Sequence, residues 1–291
     1  MCRFTLYLGP PVQLSALLFE PEHSLIEQSA HCQERAEAVN GDGFGVGWYA
    51  PELSEDPAVF RSIMPAWNNR NLASLSRVVS SPCVLAHVRA ATSRSRVNES
   101  NCHPFRFDRY LFLHNGDVNG FQEVRRPLLR SLCDEAFHSI GGSTDSEHVF
   151  ALVIDELLRL EHADPALRLA LALQGAVRRI LELVREHAGS PPCLLNLALC
   201  DGENAVVSRF TANSSHSPES LYLHRGRFPL ASAGDDHDGT PGESAFVVSS
   251  ERLGDDPGWS IIPANHLVIG KRHGEALVLP FDLDESATGA A

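Results

Sequence analysis

Cys2 stands where a chain's first residue lies once an initiator Met before a small side chain has been removed. A cysteine at that position carries its own base. The α-amino group has a reference pKa of roughly 7.7–8.0, so it can take the thiol proton directly or through one water. The thiolate so formed is the nucleophile. Cys2 alone reads more readily as an ordinary cysteine on a buried first strand. Three later runs change the weighing. His87-Val88-Arg89-Ala90-Ala91-Thr92 closes an apolar strand with Arg89, whose planar fork matches a carboxylate, although a strand-end Arg needs no ligand. His114-Asn115-Gly116 ends another strand. There an Asn amide and the next backbone N–H can converge as an oxyanion hole, with Gly permitting a tight path, yet Asn-Gly is also a turn signal. In Gly142-Ser143-Thr144-Asp145-Ser146-Glu147, Asp145 either holds a substrate ammonium or occupies the first turn of a helix, where the dipole favours a carboxylate.

A nucleophile, an oxyanion hole, a cation for an α-carboxylate and an anion for an α-ammonium are the parts that glutamine amide hydrolysis requires. The order of the motifs adds to this. The chain resembles the class II glutamine amidotransferase family of the N-terminal nucleophile hydrolase superfamily. The resemblance is carried by Met1-Cys2, Gly41-Asp42-Gly43-Phe44-Gly45, His87-Val88-Arg89, Asn101-Cys102-His103-Pro104-Phe105, His114-Asn115-Gly116 and Thr144-Asp145-Ser146-Glu147. The AHVRAAT and NCHPF segments, with Val248-Ser249-Ser250-Glu251 and Gly258-Trp259, are similar to the small stand-alone members. That group includes the γ-glutamyl amidohydrolase of ergothioneine biosynthesis.

The resemblance implies an α+β fold, a four-layer αββα sandwich of two stacked antiparallel sheets between helical layers, with Cys2 on a central strand. It implies Cys2 as nucleophile, Asn115 and Gly116 as oxyanion hole, and Arg89 and Asp145 on the substrate α-carboxylate and α-ammonium. Thr92 matches a substrate-binding Thr more loosely, and His103 either supports the site or touches substrate. No metal and no cofactor is expected. After Thr92, Ser93-Arg94 stand where many amidotransferases have His-Gly, which leaves room for a γ-glutamyl substrate other than glutamine. The expected reaction is hydrolysis of a γ-glutamyl amide through a thioester, releasing glutamate. The substrate is glutamine, with ammonia passed on, or a γ-glutamyl small metabolite. The family domain takes up nearly the whole sequence, so an acceptor site would lie on a partner enzyme, and a homo-oligomer is the other assembly to consider. A non-catalytic scaffold or sensor is the alternative. A general thiol protease is disfavoured, because Arg89 and Asp145 would clamp a free amino-acid end.

Local patterns place these residues. Residues 3–8 read as a strand halted by Gly9-Pro10-Pro11, with short helices at 12–19 and 23–33. Asn40-Gly41-Asp42-Gly43 is a turn before a strand from Phe44 to Tyr49, which 57–63 can pair. A helix is predicted at 68–80, and strands at 83–89 and 109–114. The clearest helix is 145–160, opened by a Thr144–Glu147 capping box. A second follows at 165–187. Strands then fall at 193–200, 204–210, 220–225, 245–249, 259–262, 266–270 and 275–280, with long surface loops at 211–220 and 232–244. Strands, two helices, then strands argue for α+β layers. Residues 2–275 are expected to form one domain, and 276–291 a strand end with a tail disordered from about Asp284.

Composition narrows the function classes. The 291 residues include 37 acidic and 24 basic side chains, a net charge of −13. That disfavours phosphate-backbone binding and an anionic membrane surface, so neither nucleic acid nor membrane is an expected partner. No apolar run reaches the roughly 20 residues of a membrane span, and the first residues lack the pattern of a signal peptide. Seven cysteines, an odd number with no C-x-x-C, give neither a disulfide framework nor a zinc site. A reducing cytoplasm fits best.

Overall fold

Period-two alternation writes both sheets. In β1 (Arg3–Gln13), Phe4, Leu6 and Leu8 fall on one face and Thr5 and Tyr7 on the other, as the pleat requires. The computed structural model describes residues 2–34, 39–91, 97–189, 191–212, 216–228, 244–272 and 276–283. After β1 come α1 (Leu14–Leu18), α2 (Leu25–Ala30), β2 (Phe44–Trp48), β3 (Ala58–Ser62), α3 (Arg70–Leu75), β4 (Ser80–Val88), β5 (Phe105–Phe107) and β6 (Tyr110–Val118). Four helices follow: α4 (Phe121–Ser131), α5 (Asp134–His138), α6 (Asp145–Arg159) and α7 (Pro165–Ala188). The chain then returns to strands: β7 (Cys193–Cys200), β8 (Asn204–Arg209), β9 (Tyr222–Arg227), β10 (Ser244–Ser249), β11 (Trp259–Ile261), β12 (His266–Lys271) and β13 (Leu277–Pro280).

One sheet has seven strands in the order β11-β9-β10-β1-β4-β2-β3, and the other six in the order β13-β12-β8-β7-β6-β5. The pairings are antiparallel throughout. Three apolar layers hold the stack. Phe4, Leu6, Leu8, Leu85, Leu111, Leu113, Val207 and Val248 fill the space between the sheets. Tyr7, Val46, Val84, Ala86 and Val247 pack outward against α1, α2 and α3. Phe112, Leu195, Leu197 and Leu199 pack outward against α4 to α7. This is the expected α+β sandwich, helices–sheet–sheet–helices. Each buried Leu or Phe contributes about 1.5–3 kcal/mol, so the apolar middle layer holds the two sheets face to face.

The structure departs from the sequence reading in four places. β1 does not stop at Gly9-Pro10-Pro11. Its register against β4 shifts between Leu8 and Val12, and that irregularity absorbs the prolines, which cannot donate to a ladder. β6 runs on through Asn115-Gly116 to Val118, so this dipeptide is strand and not turn. The helix expected at 68–80 is only α3, preceded by one 3-10 turn at Ala66–Asn68. α4, α5 and β5 were not anticipated. Pro127 and three arginines mask the α4 stripe, in which Val124 and Leu128 are buried at i, i+4. β13 falls within the strand expected at 275–280 and pairs with β12. The expected loops at 211–220 and 232–244 fall partly outside the described residues, and the expected disordered tail from Asp284 lies wholly outside them. Among the described residues no helix is long and apolar enough to cross a membrane.

Candidate functional site

Register brings the nucleophile and the arginine together. β1 and β4 pair Arg3 with Val88 and Phe4 with His87. One step further sets Cys2 beside Arg89, and Cys2 Sγ lies 3.6 Å from the Ala90 carbonyl oxygen. Alternation decides which way they face. Cys2 shares the parity of Phe4 and Leu6, Arg89 that of Leu85, and Asn115 that of Leu111 and Leu113, all of them residues of the inter-sheet layer. The start of β1, the end of β4 and the C-terminal half of β6 thus deliver Cys2, Arg89 and Asn115 to that layer. Cys2 is half-buried. Burial pushes its thiol pKa up; the Ala90 backbone and the Arg89 guanidinium pull it back, and Asp145 pushes it up again. Such a thiol needs a neighbouring base to become a thiolate.

The GDGFG run braces Arg89. The Arg89 N–H donates to the Gly43 carbonyl at 2.8 Å, its own carbonyl accepts from the Asp42 N–H at 3.0 Å, and the Asp42 carboxylate accepts from the Ala91 N–H at 2.8 Å. Arg89 is only 4% exposed, and its charge also opposes the burial-raised pKa of the Cys102 thiol.

Asn115 is 1% exposed, and neither its amide nitrogen nor its amide oxygen has a hydrogen-bond partner among the described residues. Buried polar atoms are nearly always paired, so both amide atoms are left to bond water or a ligand. The adjacent backbone fits that reading. The Leu195 N–H points to β8, where it bonds Phe210 O, so by alternation Asn196 points to β6 and meets Asn115. Gly116 therefore turns its N–H away from β7, toward the side where β5 has already ended at its pairing with Phe112. A Cβ at Gly116 would overlap the Leu194 carbonyl oxygen, so only glycine lets β7 approach this closely.

Asp145 opens α6. Its Oδ2 accepts from the Val118 N–H at 2.9 Å, at the far end of β6, and its Oδ1 from the Ser146 N–H at 2.8 Å. Thr144 caps the helix, its hydroxyl accepting from the Glu147 N–H at 3.2 Å. The other half of the expected capping box is absent. The Glu147 carboxylate instead accepts from the Gly141 and Gly142 N–H groups at 2.9 and 2.7 Å, which shapes the loop leading into α6. Asn101 of the NCHPF segment accepts from the Ser143 N–H at 2.9 Å. That segment therefore also helps hold Asp145 in place.

His103 is buried and stacks on His87 with ring centroids 4.2 Å apart. The His103 ring has no hydrogen-bond partner among the described residues, and the His87 ring lies beside the His114 backbone, which partly opposes the effect of burial on its pKa. Burial lowers both imidazole pKa values, that of His87 to about 3. Thr92 lies outside the described residues. Sequence reasoning missed the His87–His103 stack, although His87 stands two residues before Arg89 on the same strand face. It also missed the partners of Glu251, a residue noted only as part of a resemblance.

Two stacked antiparallel sheets between helices, with Cys2 at the head of an inner strand, form an α+β sandwich of the kind found in N-terminal nucleophile-type amidotransferases. The profile of the family described as glutamine amidotransferases class-II matches residues 12–286, and the chain belongs to that family. It is 38% identical to the probable glutamine amidotransferase DUG3 of Saccharomyces cerevisiae, over 94% of this chain and 82% of that one. It is 27% identical to the gamma-glutamyl-hercynylcysteine sulfoxide hydrolase of Mycolicibacterium smegmatis, over 92% and 95% of the two chains. A solved glutamine aminotransferase class-II domain protein from Silicibacter pomeroyi superposes with a TM-score of 0.66 at 27% identity, covering 96% of this chain and 99% of that one.

Proposed function

We propose that this enzyme hydrolyses the amide of a γ-glutamyl compound with Cys2 as nucleophile. Removal of Met1 frees the Cys2 amine, which takes the thiol proton. The thiolate attacks the γ-carbonyl carbon, and the oxyanion forms against the Asn115 amide and the Gly116 N–H. Collapse of the tetrahedral intermediate expels the amine, protonated by the terminal ammonium, and leaves a γ-glutamyl thioester. Water, deprotonated by the same amine, then releases glutamate and the thiol. Arg89 takes the α-carboxylate and Asp145 the α-ammonium, with Thr92 and His103 completing the glutamyl pocket. The observation that carries this reading is the buried Asn115 amide, unpartnered among the described residues, on the strand face that looks across the inter-sheet layer toward the face carrying Cys2.

The substrate is glutamine or a γ-glutamyl small metabolite. The M. smegmatis relative, named for a γ-glutamyl hydrolysis, and Ser93-Arg94 in place of His-Gly favour the second. A free thiol as nucleophile fits a reducing compartment, and residues 2–275 act as one catalytic domain. The test is a glutamate-release screen over glutamine, glutathione and other γ-glutamyl amides, with Cys2→Ala as control. Release that depends on Cys2 from at least one of them is expected. If the folded, Met1-processed protein releases glutamate from none, or if Cys2→Ala retains full activity, the reading is wrong.

A further inference from the structure

The Ser249-Ser250-Glu251 run grips the three residues that follow Cys2. β1 and β10 pair Thr5 with Ser249, and the hydroxyls of these two lie 2.8 Å apart. One step on, the Phe4 N–H donates to Ser250 Oγ and the Ser250 N–H to the Phe4 carbonyl, both at 3.0 Å. A further step sets Arg3 opposite Glu251, and Arg3 Nε meets Glu251 Oε1 at 2.8 Å with both side chains 2% exposed. Arg3 then turns back, donating from Nη1 to the Cys2 carbonyl oxygen at 3.0 Å. Glu251 Oε1 also accepts from the Cys32 thiol at 2.8 Å, and Oε2 is held by His23 Nε2 at 2.6 Å and the Gln33 N–H at 3.0 Å.

We propose that Glu251 is a positioning residue for the Cys2 nucleophile, acting through Arg3. This rests on the reading of Cys2 as the mature first residue. The β1 ladder begins at Arg3, so Cys2 hangs beyond it as a chain end, and chain ends fray unless tied down. Pinning the Cys2 carbonyl fixes the peptide plane from which both the amine and the thiol project. Stability alone does not account for the pair, because a buried ion pair is often replaced by apolar residues at no loss. The carboxylate also stays charged across the working range. Burial alone would raise its pKa, but hydrogen bonds from His23, Cys32, Gln33 and Arg3 bring it down to about 2.

The test uses Arg3→Lys in the full chain, read by kcat and KM and by the iodoacetamide alkylation rate of Cys2, resolved by peptide mass spectrometry. Lysine keeps the charge opposite Glu251 but is a point donor, without the fork that spans Glu251 and the Cys2 carbonyl together. The expected result is a folded protein. With Arg89 and Asp145 untouched, KM is expected to stay put. Misplacement of a reacting group costs up to about 10²-fold, so kcat should fall at least tenfold and the pH profile of Cys2 alkylation should shift. A folded Arg3→Lys protein with wild-type kcat and alkylation profile overturns the proposal. Should it fail to fold, the paired Arg3→Met/Glu251→Leu variant removes both charges, and wild-type kcat there is equally fatal. Alkylation needs no substrate, so a wild-type protein that releases no glutamate defeats the functional reading while this arm still tests the positioning.

Discussion

His87 makes the fold sensitive to acid by an amount that can be worked out. Buried in the inter-sheet layer and stacked on His103, it has a folded-state pKa of about 3, whereas an unfolded histidine titrates near about 6.5. Between these values the unfolded chain binds a proton that the native chain does not. Stability therefore falls as pH drops below about 6.5 and stops falling, for this group, below about 3. The slope approaches about 1.4 kcal/mol per pH unit, and integration from pH 7 to pH 5 gives about 2 kcal/mol for His87 alone. The perturbation is His87→Gln, which removes the titration. Urea unfolding at pH 7 and pH 5 gives the stability difference for each protein, and the linear extrapolation is adequate for a change of this size. Whatever Gln costs in packing cancels in the comparison. The wild type should lose about 2 kcal/mol more than the variant between the two pH values. Carboxylates, with unfolded pKa values near about 4, contribute little over this interval. If the two proteins lose the same amount, His87 is not held neutral by burial.

The remaining predictions concern the site. Asn115→Ala should lower kcat for glutamate release by about 10²–10³; since its amide bonds no described residue, Tm should hold, and an unchanged kcat would refute the oxyanion assignment. Asp145→Asn should sharply reduce kcat/KM. Both carboxylate oxygens accept backbone N–H groups, so the amide leaves one of them facing an NH2 at a cost of about 1–3 kcal/mol. Rates per folded molecule separate the roles, and normal kcat/KM below the melting point leaves Asp145 as a helix-start residue only. Gly116→Ala forces a methyl onto the Leu194 carbonyl oxygen, and the overpacking should cost at least about 1–3 kcal/mol in a denaturation midpoint; an undisturbed midpoint would show that β7 has slack there. Intact mass of active enzyme should correspond to loss of Met1, and activity with Met1 quantitatively retained would exclude the terminal amine as base.

The sheets were legible because alternation survives in sequence: Phe4, Leu6 and Leu8 announce a face, as do Leu111 and Leu113. Cys2, Arg89 and Asp145 were legible because each sits at a strand end or helix start, where polar residues interrupt an apolar run. Asn115-Gly116 shows where local reading stops. The dipeptide has turn chemistry, and only pairing with β7 keeps it extended. Thr144 and Glu147 have capping-box spacing, yet Glu147 is drawn to two glycine amides in the preceding loop. Arg3 and Glu251 are 248 residues apart, and nothing short of the β1–β10 register makes them neighbours. α4 escaped because Pro127 within a helix contradicts the usual breaker rule.

With Cys2 as the proposed nucleophile, the register that sets it against Arg89 would also make activity a report on correct assembly. A slip of one residue between β1 and β4 would turn every β1 side chain to the opposite face. Phe4, Leu6 and Leu8 would leave the inter-sheet layer, and the thiol would rotate with them toward the α1–α3 side. Such a chain would keep a cysteine at its head but lose Asn115 and Arg89 as neighbours at once. Misfolded or half-assembled molecules are thereby inert rather than indiscriminate. With Cys2 as the proposed nucleophile, the stacked sheets and not the cysteine alone would make the thiol a catalyst.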